Sequence, residues 1–326
     1  MEKNNILEAL HILVSNNVIG DKQLLSRYKG FRAELFLEDY LLSKFPQYKQ
    51  LEGGMIISKD SETTSLDNSL YLTVIPEEDF NDDYKKIYNR FSKIGFQKMY
   101  LATYSDSDWN KVPIMHFHSE TVKLNIPKIE IFEFNIESEN FEETSNSVTE
   151  VTVFFDTEQI RKRNSHPINE STKVWFTKNM IQFSKNQLLK IYMNRLFLDG
   201  YIGFGKKKGK PSDIDMILKT PEGEYRLIEV KEKDLPKQAQ KGFGLDIPRL
   251  EDLQRISNAT KLKYSLVVRE INNQEDRNLL GWKYLSIDKF ASAVDWNAKV
   301  KGGTGMRSSN SYNPTLICPY DLFGDL

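Results

Sequence analysis

The stretch KPSDIDMILKTPEGEYRLIEVKEK, residues 210–233, contains two apolar runs separated by a turn with a glycine. Side chains alternate across a β-strand, so residues two apart share a face. In the second run, Glu229 and Lys231 therefore point one way, while Ile228 and Val230 point into a core. The stretch predicts a β-hairpin that carries charged side chains inside an otherwise buried-looking strand, where charges need a reason.

Two aspartates open the first strand of this hairpin. Asp213 and Asp215 share a face, and an apolar run follows Asp215 directly, which favours Asp215 as the residue within the strand. Carboxylate oxygens are the ligands that hard divalent ions prefer. A carboxylate pair on a hairpin, next to Lys231, is a compact arrangement for holding a metal and a water beside a phosphate.

This arrangement resembles the PD-(D/E)xK nuclease superfamily, to which type II restriction endonucleases belong. The matching residues are Pro211 with Asp213 or Asp215, followed by Glu229, Val230 and Lys231. The order of helices and strands predicted over about residues 177–290 is also similar to that family's core. The resemblance implies an α/β fold, with a mixed β-sheet flanked by helices as a restriction-endonuclease-like core, over residues 169–326. Residues 1–168 would form an additional N-terminal α/β domain for target recognition or dimerisation.

The resemblance also implies the chemistry of the site. Asp215 and Glu229 would ligate Mg²⁺, with Mn²⁺ tolerated, and the carbonyl of Val230 is a further candidate ligand. Lys231 would orient the attacking water or help to deprotonate it, and would offset charge at the phosphate.

Two further polar residues are auxiliary candidates. Asp213 could take the place of Asp215 as the metal ligand. Gln254 lies on the helix predicted over residues 248–259, where some branches of the superfamily place a Gln that faces the site, and a surface position is the alternative.

Many members of the superfamily also carry a glutamate on the helix before the aspartate strand. The helix predicted over residues 177–198 offers Gln187 and Asn194 in its middle, and no glutamate. Glu34, on a helix predicted near the N-terminus, could fill that role only if its helix packs near the site. A third acidic ligand is therefore an open question in the sequence.

Charge is distributed unevenly along the chain. Residues 171–326 contain 26 Lys and Arg against 18 Asp and Glu, a formal charge of +8, and residues 1–170 contain 19 against 28, a charge of −9. Basic side chains displace the counterions of a nucleic acid, although solubility patterning is the alternative explanation. The candidate nucleic-acid contacts are Lys206, Lys207, Lys208, Lys210, Lys233, Lys237, Lys241 and Arg307.

Composition excludes several classes of protein. No apolar run in the 326 residues approaches the ~18 needed to span a bilayer, and we expect no signal peptide. The single cysteine, Cys318, excludes an internal disulfide framework and fits a reducing cytoplasm. There is no phosphate-binding loop of an ATPase. His116 and His118 could chelate zinc, but without a third ligand an exposed pair on a strand is favoured.

The expected function is a cytoplasmic Mg²⁺-dependent endonuclease of the type II restriction class, acting on double-stranded DNA. A homodimer follows only by analogy, because palindromic sites match two-fold symmetry. A nuclease of another defence or repair system with an N-terminal sensing domain, an RNA-directed nuclease and a non-catalytic DNA-binding subunit stay open.

Patterning places the elements along the chain. Helices are predicted over residues 2–16, 21–25, 30–45, 84–94, 177–198, 248–259 and 287–294. Strands are predicted over residues 55–58, 70–75, 98–104, 111–117, 121–136, 148–156, 214–219, 224–231, 264–269 and 284–287. Residues 137–147, 205–210, 234–246 and 299–313 are predicted to be loops.

Overall fold

The structure is a computed structural model that describes residues 1–16, 18, 20–58, 66–117, 120–144, 148, 151, 161–163, 168–202, 211–235, 241–301 and 314–326. The helices are α1 (Lys3–Ser15), α2 (Asp21–Lys44), α3 (Asp82–Phe91), α4 (Glu170–Met180), α5 (Lys185–Arg195), α6 (Ile247–Thr260) and α7 (Ile287–Ala293). The first strands are β1 (Lys49–Ser58), β2 (Ser69–Pro76), β3 (Lys98–Tyr104), β4 (Asn110–Phe117), β5 (Glu120–Ile126), β6 (Ile129–Asn135), β7 (Asn140–Glu143) and β8 (Arg161–Arg163). The remaining strands are β9 (Pro211–Lys219), β10 (Tyr225–Asp234), β11 (Gly242–Asp246), β12 (Lys263–Ile271), β13 (Leu279–Ser286), β14 (Val300–Lys301), β15 (Pro314–Pro319) and β16 (Gly324–Asp325).

The chain divides into two compact units that are both discontinuous in sequence. The first comprises residues 1–28 and 54–213, and the second comprises residues 29–53 and 214–326. The sequence analysis places a single division after residue 168. Residues 169–213 instead cluster with the first unit, and residues 29–53 cluster with the second. Helix α2 and strands β1 and β9 each contribute residues to both units.

The first unit contains a mixed sheet in the order β1-β2-β3-β6-β7 and a smaller sheet in the order β5-β4-β8. Strands β2 and β3 are parallel, whereas β3 and β6 are antiparallel. Helix α3 buries one face, on which Tyr84, Tyr88 and Phe91 are inaccessible to solvent. The ring of Tyr71 from β2 stacks on Phe91 with the ring centroids 4.8 Å apart. Aromatic packing between α3 and β2 therefore contributes to the core of this unit.

The second unit contains a mixed sheet in the order β16-β13-β12-β10-β9-β1 and a three-stranded sheet in the order β11-β15-β14. Strand β10 is antiparallel to β9 and parallel to β12. Parallel neighbours need a crossover, and here the chain passes through β11 and α6 between β10 and β12. The hairpin that opens the sequence analysis thus lies in the middle of this sheet.

Helix α2 covers one face of the second unit's sheet. Its residues Ala33, Leu37 and Leu41 pack in one buried cluster with sheet residues that include Ile228 and Val230. These three helix positions recur at intervals of four residues, the spacing of one helix face. The predicted inward orientation of Ile228 and Val230 is confirmed, and the opposite face of β10 is the one that carries Glu229 and Lys231.

Two glycines are required by the geometry of the β9–β10 region. Gly223 lies in the hairpin turn with φ of +85°, a conformation that side chains rarely adopt. Gly53 in β1 lies so close to β9 that an added Cβ would be 1.9 Å from the carbonyl oxygen of Ile214. A larger residue at Gly53 would push β1 away from β9.

The mixed α/β class is confirmed, and most predicted elements are present within a few residues of their expected ends. The hairpin strands, the helix over residues 248–259 and the strand over residues 264–269 are confirmed as β9, β10, α6 and β12. The break predicted at Pro127 separates β5 from β6. The strand predicted over residues 148–156 lies almost entirely outside the described residues.

Six predicted elements differ from the structure. The helices predicted over 21–25 and 30–45 are one continuous helix, α2, because a single Gly30 is tolerated inside a helix supported by packing. The helix predicted over 177–198 is interrupted: Ser184 caps a new helix, α5, through a reciprocal capping box with Gln187. The chain then continues as a π-helix to Ile202, so Gly200 is not a terminator. The loops predicted over 137–147, 234–246 and 299–313 each contain a short strand, β7, β11 and β14 respectively.

Among the described residues, no helix is both long enough and apolar enough to cross a membrane.

Candidate functional site

The candidate site is built on the β9–β10 hairpin of the second unit. Ile228 pairs with Met216 and Leu227 pairs with Ile217 across the antiparallel ladder. The turn is closed by backbone hydrogen bonds from the Thr220 amide to the Glu224 carbonyl at 2.8 Å and from the Gly223 amide to the Thr220 carbonyl at 2.9 Å. Because the register is set by this turn, Glu229 projects from the face opposite α2.

Glu229 is fully buried, and both of its carboxylate oxygens contact cations. Arg249 donates from Nε to Oε1 at 3.0 Å, and its Nη2 contacts Oε2. Lys231 Nζ lies 2.6 Å from Oε1. Burial opposes the charge on Glu229, but Arg249 and Lys231 outweigh it and hold the pKa of this carboxyl well below its usual value. Glu229 is therefore ionised at neutral pH despite its burial.

Asp215 lies on the neighbouring strand beside Glu229. Its Oδ2 accepts a hydrogen bond from the backbone amide of Val230 at 2.6 Å. The antiparallel pairing of β9 with β10 runs only as far as Met216, so the aspartate side chain takes the amide that the next backbone pair would use. This bond fixes Asp215 against β10, at the point where the two strands separate.

Lys231 is half-buried, and its ammonium group lies against the buried carboxylate of Glu229. About a third of its side chain is exposed (37%). Burial opposes its charge, but Glu229 and Asp215 outweigh that effect and raise its pKa. Lys231 is consequently protonated at neutral pH, and a protonated ammonium group cannot accept a further proton.

Asp213 is placed differently from Asp215. It belongs to the first unit, where its Oδ2 lies 3.7 Å from Nη2 of Arg195. Arg195 also lies 3.8 Å from the buried carboxylate of Asp199, which pairs with Arg27 at 3.1 Å. Of the two aspartates that the sequence leaves as alternatives, Asp215 is the one that contacts β10 next to Glu229.

Arg249 was missed by the sequence analysis. It lies in the first turn of α6, directly after Pro248 and before the buried Leu250. A cation between apolar positions of an amphipathic helix was the available signal. The sequence could not give its direction, because the angle at which α6 returns to the sheet decides which way the first turn points.

Gln254 is not brought next to Arg249. It lies five residues further along α6, which turns it by about 140° around the helix axis, and it is half-buried. Glu34 is half-buried on α2, in the same unit as the hairpin. The apolar face of α2 covers Ile228 and Val230, on the face of β10 opposite Glu229 and Lys231, so this helix does not pack beside the carboxylates of the candidate site.

The candidate nucleic-acid lysines fall into two groups. Lys233 is half-buried on β10, and burial followed by repulsion from Lys231 lowers its pKa. Lys241 is exposed just before β11. The other candidates lie outside the described residues: Lys206, Lys207, Lys208, Lys210, Lys237 and Arg307. His118 also lies outside them, and His116 is part of β4.

The donor set of the site matches a hard divalent ion in type. Asp215, Glu229 and the Val230 carbonyl offer oxygen atoms only, the ligands that Mg²⁺ prefers. Within the described part of the chain, no three His, Cys, Asp or Glu side chains form a cluster that could hold a metal ion. The positive charge beside Glu229 is supplied by Arg249 and Lys231, and an ion at this carboxylate would replace part of it.

Comparison with protein-family models, with curated proteins and with solved structures finds no match for this chain.

Proposed function

We propose that this protein is a Mg²⁺-dependent endonuclease that hydrolyses phosphodiester bonds in double-stranded DNA, as a type II restriction-type enzyme. The observation that carries the proposal is the juxtaposition of Asp215, Glu229 and Lys231 on one face of a central hairpin. Glu229 is completely buried and yet ionised. Burying a charge is costly, so a buried charged cluster is more often found at functional sites than elsewhere.

The topology of the second unit supports the same proposal. A helix, three neighbouring strands, a crossover helix and a parallel strand follow in the order α2, β1, β9, β10, α6 and β12. The superfamily core named in the sequence analysis has a similar order of helices and strands. In this proposal residues 59–210 lie between the first two strands of the core, and the core includes α2 and β1 from the N-terminal part of the chain.

Each residue of the site would have a distinct role in this reaction. Asp215, Glu229 and the Val230 carbonyl would hold the Mg²⁺, with Mn²⁺ as a substitute. When bound, the ion would supply an activated water and stabilise charge developing on the phosphate. Lys231, whose protonated form is stabilised by the neighbouring carboxylates, would hold a non-bridging phosphate oxygen as a point charge. Lys233, two residues further on the same face, would contact an adjacent phosphate.

Cleavage of plasmid or phage DNA with Mg²⁺ tests the proposal. We expect discrete fragments from the wild type, and a loss of roughly 10³-fold in rate for Glu229→Gln and for Lys231→Ala. The first change removes a proposed metal ligand, and the second removes the cation that would contact the phosphate. Glu224→Gln is the matched control for Glu229→Gln, since Glu224 lies exposed in the same hairpin turn, with 61% of its side chain accessible. Lys263→Ala, at an exposed position on β12, is the control for Lys231→Ala. Equal cutting by all variants, or cutting in EDTA, would refute the site.

A non-catalytic DNA-binding subunit is the second candidate, and a specific observation favours it. Arg249 already neutralises Glu229 through a bidentate contact. A carboxylate whose charge is balanced in this way needs no metal ion. Calorimetric titration with Mn²⁺ separates the candidates. Binding that Glu229→Gln abolishes supports the enzyme, whereas duplex binding without any metal binding supports the subunit.

A further inference from the structure

We propose that Lys29 and Arg32, backed by Arg269 and Arg277, form a binding site for a phosphate group on the α2 side of the second unit's sheet. The site goes beyond the proposed nuclease function, because it uses none of the residues of the candidate metal site. The observation that supports this site is the packing of one buried carboxylate, Glu232, among an excess of cations.

The base of the site is a buried cluster around Glu232. This residue follows Lys231 on β10 and therefore projects to the opposite face. Arg269 donates from Nη1 to its Oε2 at 2.6 Å, and Nη2 of Arg277 contacts its Oε1. The side chains of Glu232, Arg269 and Arg277 are only 3%, 6% and 4% exposed. One buried carboxylate is thus shared by two buried guanidinium groups, which leaves a net positive charge.

Several donors of this cluster have no acceptor. Within the described part of the chain, the Nε atoms of Arg32, Arg269 and Arg277 are buried and make no hydrogen bond. Buried N–H groups are nearly always paired, and leaving one unpaired costs about 1–3 kcal/mol. Three unpaired donors on neighbouring guanidinium groups indicate that acceptor oxygens are lacking at this place.

Lys29 and Arg32 provide the accessible part of the site. They lie three residues apart on α2, so they are neighbours on one helix face, and both are half-buried. The guanidinium of Arg32 lies 5.0 Å from the centroid of the Phe36 ring, and that of Arg269 lies 4.7 Å from the same centroid. The ring of Phe36 therefore contacts both Arg32 of the helix and Arg269 of the buried cluster. Neither Lys29 nor Arg32 forms an ion pair with a carboxylate of the described residues.

The balance of charge matches a phosphate. Burial, then repulsion from Arg277, lowers the pKa of Lys29, and burial lowers that of Arg32 although Glu232 opposes it. Asp234 is the other carboxylate that acts on Lys29, and its Oδ1 accepts a hydrogen bond from Gln274 at 2.7 Å. Four cations thus face two carboxylates, and the excess of about two charges equals the charge of a phosphate dianion at neutral pH.

The backbone of Arg277 adopts an uncommon conformation. Its φ of 56° is in the left-handed region, which is uncommon for a residue other than glycine. Its Nη1 donates to Gln274 at 2.7 Å, within the same loop. Residues in such conformations cluster at sites that bind ligands. Guanidinium groups match phosphate oxygens through parallel N–H donors, so the chemical class of ligand is a phosphate.

This phosphate could belong to a nucleic-acid backbone or to a free anion, and two probes in EDTA distinguish these sources. The probes are inorganic phosphate, read as a rise in melting temperature at constant ionic strength, and a short DNA duplex, read by fluorescence anisotropy. The test variant is Lys29→Gln with Arg32→Gln. The control variant is Arg90→Gln with Lys93→Gln, which removes the same charge from exposed positions. Glu229→Gln is added, because it disables the proposed nuclease without touching this site.

We expect the test variant to lose the response to at least one probe, with affinity reduced about tenfold. The control variant should retain both responses within twofold, and Glu229→Gln should retain the response to inorganic phosphate within twofold. Loss of the phosphate response identifies a free anion as ligand, and loss of the duplex response alone identifies the nucleic-acid backbone. In chloride, Lys29→Gln alone should melt no lower than the wild type, because it relieves repulsion between cations. Responses equal in wild type and test variant, or lost equally in the control, overturn the proposal.

Discussion

Glu229 and Arg249 form a bidentate ion pair at the residue scale, and this pair sets the state of the candidate site. The carboxylate is inaccessible to solvent, and Arg249 and Lys231 together supply the charge that keeps it ionised. The apolar neighbours of Glu229 in the strand predict that its buried charge requires a partner or a function. The identity of Arg249 as that partner depends on the angle at which α6 packs on the sheet, which the local sequence does not encode.

We expect Arg249→Ala to have opposite effects on stability and on metal affinity. Removing one partner of a buried ion pair costs about 3–5 kcal/mol of unfolding free energy. The same change frees Glu229 for a divalent ion, so the Kd for Mn²⁺ should fall about tenfold, as measured by titration calorimetry. Arg255→Ala, at an exposed position on the same helix, should change neither quantity by much. An unchanged Kd in Arg249→Ala would show that Arg249 does not compete with a metal.

The lowered pKa of Glu229 predicts how stability depends on pH in EDTA. Its folded value lies below the unfolded value of 4.5, so its contribution is complete above pH 4.5 and is lost as pH falls through the folded value. Below pH 4.5 one such group contributes a slope of up to about 1.4 kcal/mol per pH unit. Chemical unfolding at pH 3–5 should show that Glu229→Gln lacks this slope, whereas Glu224→Gln keeps it. Identical slopes in all three proteins would contradict the assignment.

At the scale of elements, α2 supports the hairpin from behind. The sequence predicts α2 and both hairpin strands from periodicity, and these predictions are confirmed apart from the false break at Gly30. Their contact could not be predicted, because α2 ends at residue 44 and β9 starts only at residue 211, and no periodicity shows which helix covers which strand. The cluster of Leu37 with Ile228 and Val230 is therefore a result of the tertiary structure alone.

Leu37→Ala should destabilise the second unit. Leu37 is fully buried, and truncation of a buried leucine costs about 2–5 kcal/mol because it leaves a cavity. Leu42→Ala on the same helix is the matched control, since Leu42 is 56% exposed and should cost less than about 0.5 kcal/mol. Urea unfolding measures both. Similar losses in the two variants would mean that α2 does not pack on the hairpin as described.

At the scale of the whole molecule, the chain order and the compact units do not coincide. The division of charge at residue 170 suggests an acidic half and a basic half, but each unit takes residues from both. Composition reports only averages along the chain, and it cannot show that α2, β1 and β9 run through two units. The charge of +8 over residues 171–326 remains a basis for predicting nucleic-acid binding.

We expect metal-free binding of duplex DNA to weaken steeply with salt. Each phosphate that a basic side chain neutralises contributes about 0.9 to the slope of log affinity against log salt concentration. Substituting Lys206, Lys207 and Lys208 by Gln should reduce this slope by about 0.9 for each phosphate that is no longer neutralised, as measured by anisotropy. The same change at the exposed Lys86, Lys93 and Lys111 is the control, and an equal reduction there would indicate a nonspecific effect of net charge.

The sequence by itself determined the hairpin, the face shared by Glu229 and Lys231, and the burial of Ile228 and Val230. These features are local, because strand alternation and turn chemistry act between residues close in the chain. The tertiary structure alone decided that Asp215 contacts the Val230 amide, that Arg249 forms an ion pair with Glu229, and that cations of α2 lie near Glu232. Those contacts join distant segments, and their formation depends on how helices return to the sheet.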